Sequence, residues 1–155
     1  MSRHKLDPAF GNWFAGFTDG EGCFQIVQRQ PDVSRWTCTF AIGLRADDRL
    51  LLETIHDRLG MGCLVDSPRR DATNPSCKLE VYKKADCQCL MDIFSDFPLQ
   101  SKKQRDYELW GVAVTMWGQQ YWSRHTSVRE MENYGIIMKQ LQHELREGRA
   151  YREPS

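Results

Sequence analysis

Residues 14–22, Phe-Ala-Gly-Phe-Thr-Asp-Gly-Glu-Gly, are the stretch of this chain whose residue types and spacing could do chemistry. Two carboxylates, Asp19 and Glu21, stand among glycines where a helix is expected to end. The C-terminus of a helix carries partial negative charge, so unpaired carboxylates there are unfavourable unless a cation is bound. With backbone carbonyls exposed beside it, Glu21 is therefore predicted to bind a hard metal ion.

The same stretch also predicts close packing between helices. Ala15 and Gly16 add little side-chain bulk, so the helix that carries them can approach another helix closely. Two copies of this helix, meeting across a two-fold axis, would bring their C-terminal ends together. The carboxylates of two chains would then converge on one site.

Sequence signals place helices and strands around this stretch. Asp7 followed by Pro8 predicts the start of the first helix, and the glycines at positions 20 and 22 should end it. Asp47 is predicted to cap a second helix that ends before Gly60. Two hairpins are predicted, over 23–30 with 35–43 and over 61–67 with 76–84, and further helices near 86–94, 104–118 and 127–146.

Alternation in the hairpins predicts one buried and one exposed face of a sheet. The core face is predicted from Phe24, Ile26, Trp36, Cys38, Phe40, Ile42, Leu79 and Val81, with Trp13 and the other tryptophans packed beneath it. The repeated strand–strand–helix order predicts an α+β fold, αββαββα with extra C-terminal helices. Its four-stranded antiparallel sheet should carry helices on one face.

Length and composition limit the architecture and the compartment. The 155 residues, 18.1 kDa, predict one domain over residues 1–120 and a helical extension over 121–155 packed on it. An intermolecular coiled coil is the alternative for the extension's apolar stripe. Without a signal peptide or an apolar run approaching the ~18 residues of a membrane span, we expect a soluble intracellular protein, in bacterial cytoplasm or an organelle, with no membrane partner.

Charge and cysteine content exclude simpler classes. Lys plus Arg and Asp plus Glu number 21 each, so net charge does not indicate a uniformly basic nucleic-acid binder. The six cysteines lack a Cys-x-x-Cys spacing, and in an intracellular chain they are predicted to be reduced thiols. Any nucleic-acid contact must therefore come from one local surface.

Residues 14–22 resemble the LAGLIDADG motif of homing endonucleases. Ala15, Gly16, Asp19 and Gly22 match it. Conservative replacements fill the remaining positions: Phe14 and Phe17 stand for Leu, Thr18 for Ile, Gly20 for Ala and Glu21 for Asp. Residues 40–48, 50–52, 60–62 and 98–103 follow the order of blocks in single-motif members, so the resemblance covers about residues 8–118.

The resemblance implies a homodimeric, Mg²⁺-dependent endonuclease that cleaves double-stranded DNA at a long pseudo-palindromic site. Such enzymes are usually encoded in a mobile intron or intein, and no small-molecule substrate is implied. Glu21 is implied as the metal ligand, with the backbone carbonyl of Gly20, and Lys102 as the catalytic lysine, with Lys103 as second choice. Leu44 replaces a polar residue that often positions water. The implied dimer interface comprises Phe14, Ala15, Gly16, Thr18 and Asp19, with Asp19 joining the ends of the two motif helices.

The outward strand positions are the implied DNA contacts. Arginine can pair with guanine or phosphate, glutamine with adenine, and small apolar groups with the thymine methyl. The predicted set is Gln25, Val27, Arg29, Arg35, Thr37, Thr39, Ala41, Arg69, Arg70, Lys78 and Glu80. A non-cleaving binder on the same fold, such as a splicing maturase or a regulator, remains the main alternative, and a protein-interaction module that only dimerises is a third.

Overall fold

The computed structural model describes residues 5–29, 35–67 and 74–149, and its elements follow the predicted order. A 3₁₀ turn over Ala46–Asp48 leads into the second helix. The elements are α1 Pro8–Glu21, β1 Gly22–Gln28, β2 Trp36–Arg45, α2 Arg49–Leu59, β3 Cys63–Ser67, β4 Ser76–Val81, α3 Lys84–Asp96, α4 Lys103–Gln119 and α5 Val128–Glu147.

The four strands form one antiparallel sheet in the order β1-β2-β4-β3. Every residue predicted for its core face is buried: Phe24, Ile26, Trp36, Cys38, Phe40, Ile42, Leu79 and Val81. They pack with apolar residues of the helices into one hydrophobic core. The predicted α+β fold is therefore confirmed.

Helix α1 delivers its C-terminal end directly to the start of the sheet. Asp7 caps it, since the Asp7 Oδ2 accepts a hydrogen bond from the Phe10 amide at 3.2 Å. Gly22 follows in an extended conformation and pairs with Ile42 of β2. A Cβ at Gly22 would meet the Thr18 Cγ2 at 2.5 Å, so only glycine fits this tight turn from helix to strand.

Two local predictions are wrong. Asp47 does not cap α2, which begins at Arg49; its carboxylate instead lies 2.7 Å from the Arg45 guanidinium. Trp13 is not in the core but 43% exposed, stacked on Phe17 with ring centroids 5.1 Å apart. Helical spacing alone did not identify which side of α1 faces the sheet.

The C-terminal helix α5 packs against α4 and β1. Ser127 and Glu130 form a capping box at its start. Its apolar stripe, formed by Tyr134, Met138, Leu141 and Leu145, is buried in the core of the same chain. The apolar stripe of α5 therefore packs within its own chain.

The cysteines and the apolar character of the helices are two further features of the described part. All six cysteines are free thiols, as predicted. No helix within residues 5–29, 35–67 and 74–149 combines the length and the apolar character that a membrane span requires.

Candidate metal centre and nucleic-acid interface

Glu21, the predicted metal ligand, is the last residue of α1 and its carboxylate is exposed. It lines an open cleft together with Gly43, Leu44, Arg45 and Asp48. The pairing of Gly22 with Ile42 explains this neighbourhood, because it places the end of β2 beside the end of α1.

Asp19 has a role within its own chain that the sequence did not predict. Its carboxylate accepts hydrogen bonds from the Gln100 amide at 3.0 Å, the Ser101 amide at 2.9 Å and the Ser101 hydroxyl at 2.6 Å. Partial burial opposes its ionisation, but these hydrogen bonds and nearby Lys103 outweigh burial and lower the pKa of Asp19. Asp19 therefore fastens α1 to the loop before α4 within one chain.

The loop fastened by Asp19 positions a lysine. The Ser101 hydroxyl also accepts a hydrogen bond from the Lys103 amide at 3.1 Å, at the start of α4. The Lys103 Nζ lies 3.3 Å from the Gly20 carbonyl oxygen. Lys102, the first choice from sequence, is exposed at the N-cap position of α4. The structure thus brings the second-choice lysine to the end of the motif helix.

The two faces of α1 correct the predicted dimer interface. Phe14 and Thr18 are fully buried and Ala15 is 4% exposed, so these three residues pack inside their own chain. Their side chains face the core and not a second copy. Of the predicted set, Gly16 alone is exposed.

A strip of exposed residues runs along the other face of α1. Trp13, Gly16 and Gly20 follow one another at spacings of three and four, which places them on one side of the helix. A Cβ built at Gly16 or at Gly20 would meet nothing within 4 Å. We call Trp13, Gly16 and Gly20 the α1 strip; their spacing was the signal in the sequence that the prediction missed.

The outer face of the sheet carries most of the predicted DNA contacts. Gln25, Arg29 and Arg35 are exposed, whereas five others are half-buried: Val27, Thr37, Ala41, Lys78 and Glu80. The Arg29 guanidinium donates to the Thr37 hydroxyl at 2.9 Å, and the Lys78 ammonium lies 3.7 Å from the Glu80 carboxylate. Arg69 and Arg70 fall outside the described residues.

Strand register adds Cys63 to this face, and burial removes Thr39 from it. Across the sheet, Cys23, Ala41, Glu80 and Cys63 form one row of paired positions, so Cys63 shares the outer face although it was not predicted there. Thr39 is on the same side but only 2% exposed, with its hydroxyl 3.5 Å from the Gln25 side-chain oxygen. Thr39 therefore supports Gln25 and is not open to direct contact in this structure.

The donors at the end of α1 fit a hard cation. The Glu21 carboxylate and the Gly20 carbonyl are oxygen ligands at a negative helix end, which Mg²⁺ prefers. Within the described residues, no group of three or more His, Cys, Asp or Glu side chains lies close enough together to hold a metal ion. At the end of α1, Glu21 is the carboxylate available to a metal, with Asp48 lining the same cleft.

The sequence of this chain matches a known protein family. Residues 14–114 match the family model described as "LAGLIDADG endonuclease". The "Probable intron-encoded endonuclease Cox1-I1b" of Schizosaccharomyces pombe is 30% identical over 107 residues, which make up 68% of this chain and 27% of that protein. The chain therefore spans about a quarter of the length of this curated relative.

Two solved structures of LAGLIDADG endonucleases are similar to this chain. The LAGLIDADG meganuclease I-AabMI bound to uncleaved DNA is 31% identical, with a TM-score of 0.58 over 68% of this chain and 36% of that chain. The LAGLIDADG homing endonuclease I-GzeII in complex with its DNA target is 26% identical, with a TM-score of 0.71 over 89% of this chain and 44% of that chain. This protein belongs to the LAGLIDADG endonuclease family.

Proposed function

We propose that this chain is a site-specific, divalent-metal-dependent DNA endonuclease that acts as a homodimer. The observation that carries the proposal is the end of α1, where the exposed Glu21 carboxylate, the Gly20 carbonyl and the Lys103 ammonium lie together beside an open cleft. Phosphodiester hydrolysis needs an activated water and a neutralised leaving oxygen, and this set of groups can serve both needs.

The second half of the enzyme comes from a second copy of the chain. The chain aligns with only 44% of the DNA-bound I-GzeII chain, so one protomer accounts for less than half of such an assembly. The α1 strip is flat at Gly16 and Gly20, which allows two helices to pack closely. A two-fold pairing through this strip brings the Glu21 carboxylates of both copies to one site.

The metal would be held by Glu21 and the Gly20 carbonyl of each copy. When bound, Mg²⁺ supplies a nucleophilic water and stabilises charge on the phosphate oxygens. Lys103 places a positive charge beside these ligands and stabilises the negative charge that develops on the scissile phosphate. Asp19 is a positioning residue, because its hydrogen bonds to Gln100 and Ser101 hold the loop from which Lys103 projects.

The outer face of the sheet binds double-stranded DNA. Gln25, Arg29 and Arg35 are exposed and able to reach base edges or phosphates, and the half-buried residues of the face add shape and apolar contact. Because the chain as a whole is neutral, this local surface must supply the binding. Two sheets related by the dimer axis would read two similar half-sites.

Cleavage of a randomised duplex-DNA library tests the proposal. The wild-type chain and Glu21→Gln are each incubated with the library in Mg²⁺ and in EDTA, and the cut ends are sequenced. We expect cuts at one near-palindromic site, only in Mg²⁺ and only by the wild type, while Glu21→Gln still binds the DNA. Equal cleavage by Glu21→Gln would refute the assignment of Glu21 as the metal ligand.

A non-cleaving nucleic-acid binder is the second candidate, and Leu44 is the observation that favours it. Leu44 is half-buried and lines the cleft beside Glu21, where a polar side chain would be needed to hold water. Recovery of bound but uncut DNA from the same library would support this second function. Retention of an exposed carboxylate at Glu21 and of Lys103 beside Gly20 supports cleavage instead.

A further inference from the structure

Strand β1 forms one edge of the sheet, and α5 covers that edge. The Gln142 side-chain amide donates to the Ile26 carbonyl oxygen at 2.8 Å, and the Arg149 guanidinium donates to the Phe24 carbonyl oxygen. Edge strands that leave such groups unpaired invite pairing with another strand. Gln142 of α5 and Arg149, just after the helix ends, thus replace a neighbouring strand at two points of this edge.

The end of α5 and the turn after it carry three polar side chains toward this edge. Gln142 and Arg146 are four residues apart, so they project from the same side of the helix, and Arg149 follows in the turn after the helix. Together with Gln25 and Val27 of the outer sheet face, they line a single open cleft. The cleft continues the proposed DNA-binding surface past the last strand.

The two arginines of this cleft differ in what they contact. The Arg149 Nε lies 3.8 Å from the carboxylate of Asp106, a residue only 8% exposed, so the charge of Arg149 is largely balanced inside the protein. Arg146 is exposed in the last turn of α5. The long side chain of Arg146 lies along the helix and lets its guanidinium extend past the sheet edge.

We propose that Arg146 binds a backbone phosphate of duplex DNA, extending the sheet's contact beyond strand β1. This inference rests on the proposed function, since it requires DNA on the outer sheet face. A guanidinium pairs with two phosphate oxygens at once and carries no information about base sequence. Arg146 therefore contributes affinity and register along the duplex, whereas Gln25 beside it reads a base edge.

Salt-dependent binding to a random-sequence duplex tests the role of Arg146. The wild-type chain, Arg146→Gln, Arg146→Lys and the control Arg58→Gln are titrated with the duplex over a range of salt concentrations. Arg58 is exposed and lies over the Phe10 ring, 5.0 Å from its centroid, in the helical layer behind the sheet. The Arg58→Gln substitution therefore removes the same charge as Arg146→Gln, but from the side of the protein away from the outer sheet face.

We expect Arg146→Gln to reduce the slope of log affinity against log salt by about 1 per protomer, hence by about 2 for a dimer. Arg146→Lys should retain most of the slope, because lysine also neutralises a phosphate. Equal slopes for Arg146→Gln and Arg58→Gln, with the wild type binding normally, would overturn this inference alone. Failure of the wild type to bind duplex DNA would overturn the proposed function as well.

Discussion

The two faces of α1 use similar residues for opposite purposes. On one face, Phe14 and Thr18 are fully buried in their own chain, and Asp19 is bound by the loop before α4. On the other, Trp13 and Gly16 are exposed, and Glu21 at the end of the helix is exposed as well. The buried face builds one protomer, and the exposed face remains available for a second copy and for a metal.

The two carboxylates near the end of α1, Asp19 and Glu21, have different surroundings. Asp19 and Glu21 are two residues apart, so they project from different sides of α1. The hydrogen bonds to Asp19 stabilise its charge and lower its pKa despite partial burial. In the proposed dimer, a second α1 would bring an identical carboxylate to Glu21, and a shared cation would offset the repulsion between the two.

Truncating each face of α1 should produce the largest difference in stability. Phe14→Ala removes a fully buried ring from the core and should lower the free energy of unfolding by about 3–5 kcal/mol. Trp13→Ala removes a half-exposed ring and should cost about 1 kcal/mol or less at protein concentrations that keep the chain monomeric. Urea denaturation followed by circular dichroism measures both. Similar losses for the two variants would break the proposed division.

The lysines at the start of α4 sharpen the comparison at the catalytic end. Lys103→Ala should slow DNA cleavage on the order of 100-fold, since the Lys103 ammonium lies beside the Gly20 carbonyl. Lys102→Ala should leave the single-turnover cleavage rate within a few-fold of wild type and act mainly on binding. A larger rate loss for Lys102→Ala than for Lys103→Ala would show that Lys102, the first choice from the sequence, is the catalytic lysine.

Asp19→Asn and Glu21→Gln should differ in their effect on stability, because Asp19 is proposed to hold a loop and Glu21 to bind a metal. Loss of the charged hydrogen bonds to Gln100 and Ser101 should lower the free energy of unfolding by about 1–3 kcal/mol. Glu21→Gln, on an exposed side chain, should change it by no more than about 0.5 kcal/mol. Thermal unfolding of both variants at neutral pH measures the difference, and equal shifts would contradict the separate roles.

The pH dependence of stability should show a smaller signature of Asp19. Its pKa is lower in the folded chain than the ordinary value of 3.8, so its stabilisation is complete above that value and is lost as the pH falls through the folded pKa. The difference in Tm between wild type and Asp19→Asn should therefore shrink as the pH falls from about 6 to about 3. A difference that stays constant over this range would show that the charge of Asp19 is not what stabilises the loop.

The sequence predicted the fold better than it predicted the faces of α1. Every residue that alternation in β1, β2 and β4 assigned to the core is buried, because a strand has only two sides. Cys77 of β4 is also buried in the core and was not predicted there. A helix rich in aromatic and small residues gives no such binary signal, so Trp13 was expected in the core and Phe14 at an interface. The contact of Asp19 with Gln100 and Ser101, more than eighty residues away, could not be read from local spacing.

The surroundings of residues at the ends of strands depend on how the strands pair. Arg45 reaches the Glu21 cleft only because β2 pairs with β1 in one particular register. Thr39 has the parity of an outward residue, but its neighbour Gln25 lies close enough to leave only 2% of it exposed. Strand parity predicts a direction, whereas exposure depends on the side chains of the adjacent strand.

The mass of the chain in solution tests the central claim most directly. Sedimentation velocity of the wild type and of Gly16→Arg should give twice 18.1 kDa for the wild type and 18.1 kDa for the variant. A Cβ at Gly16 meets no atom within 4 Å, so Gly16→Arg should fold normally while preventing the close approach of two α1 helices. A wild-type chain that stays at 18.1 kDa at every concentration, and that binds the duplex it cleaves as one copy per duplex, would contradict the account.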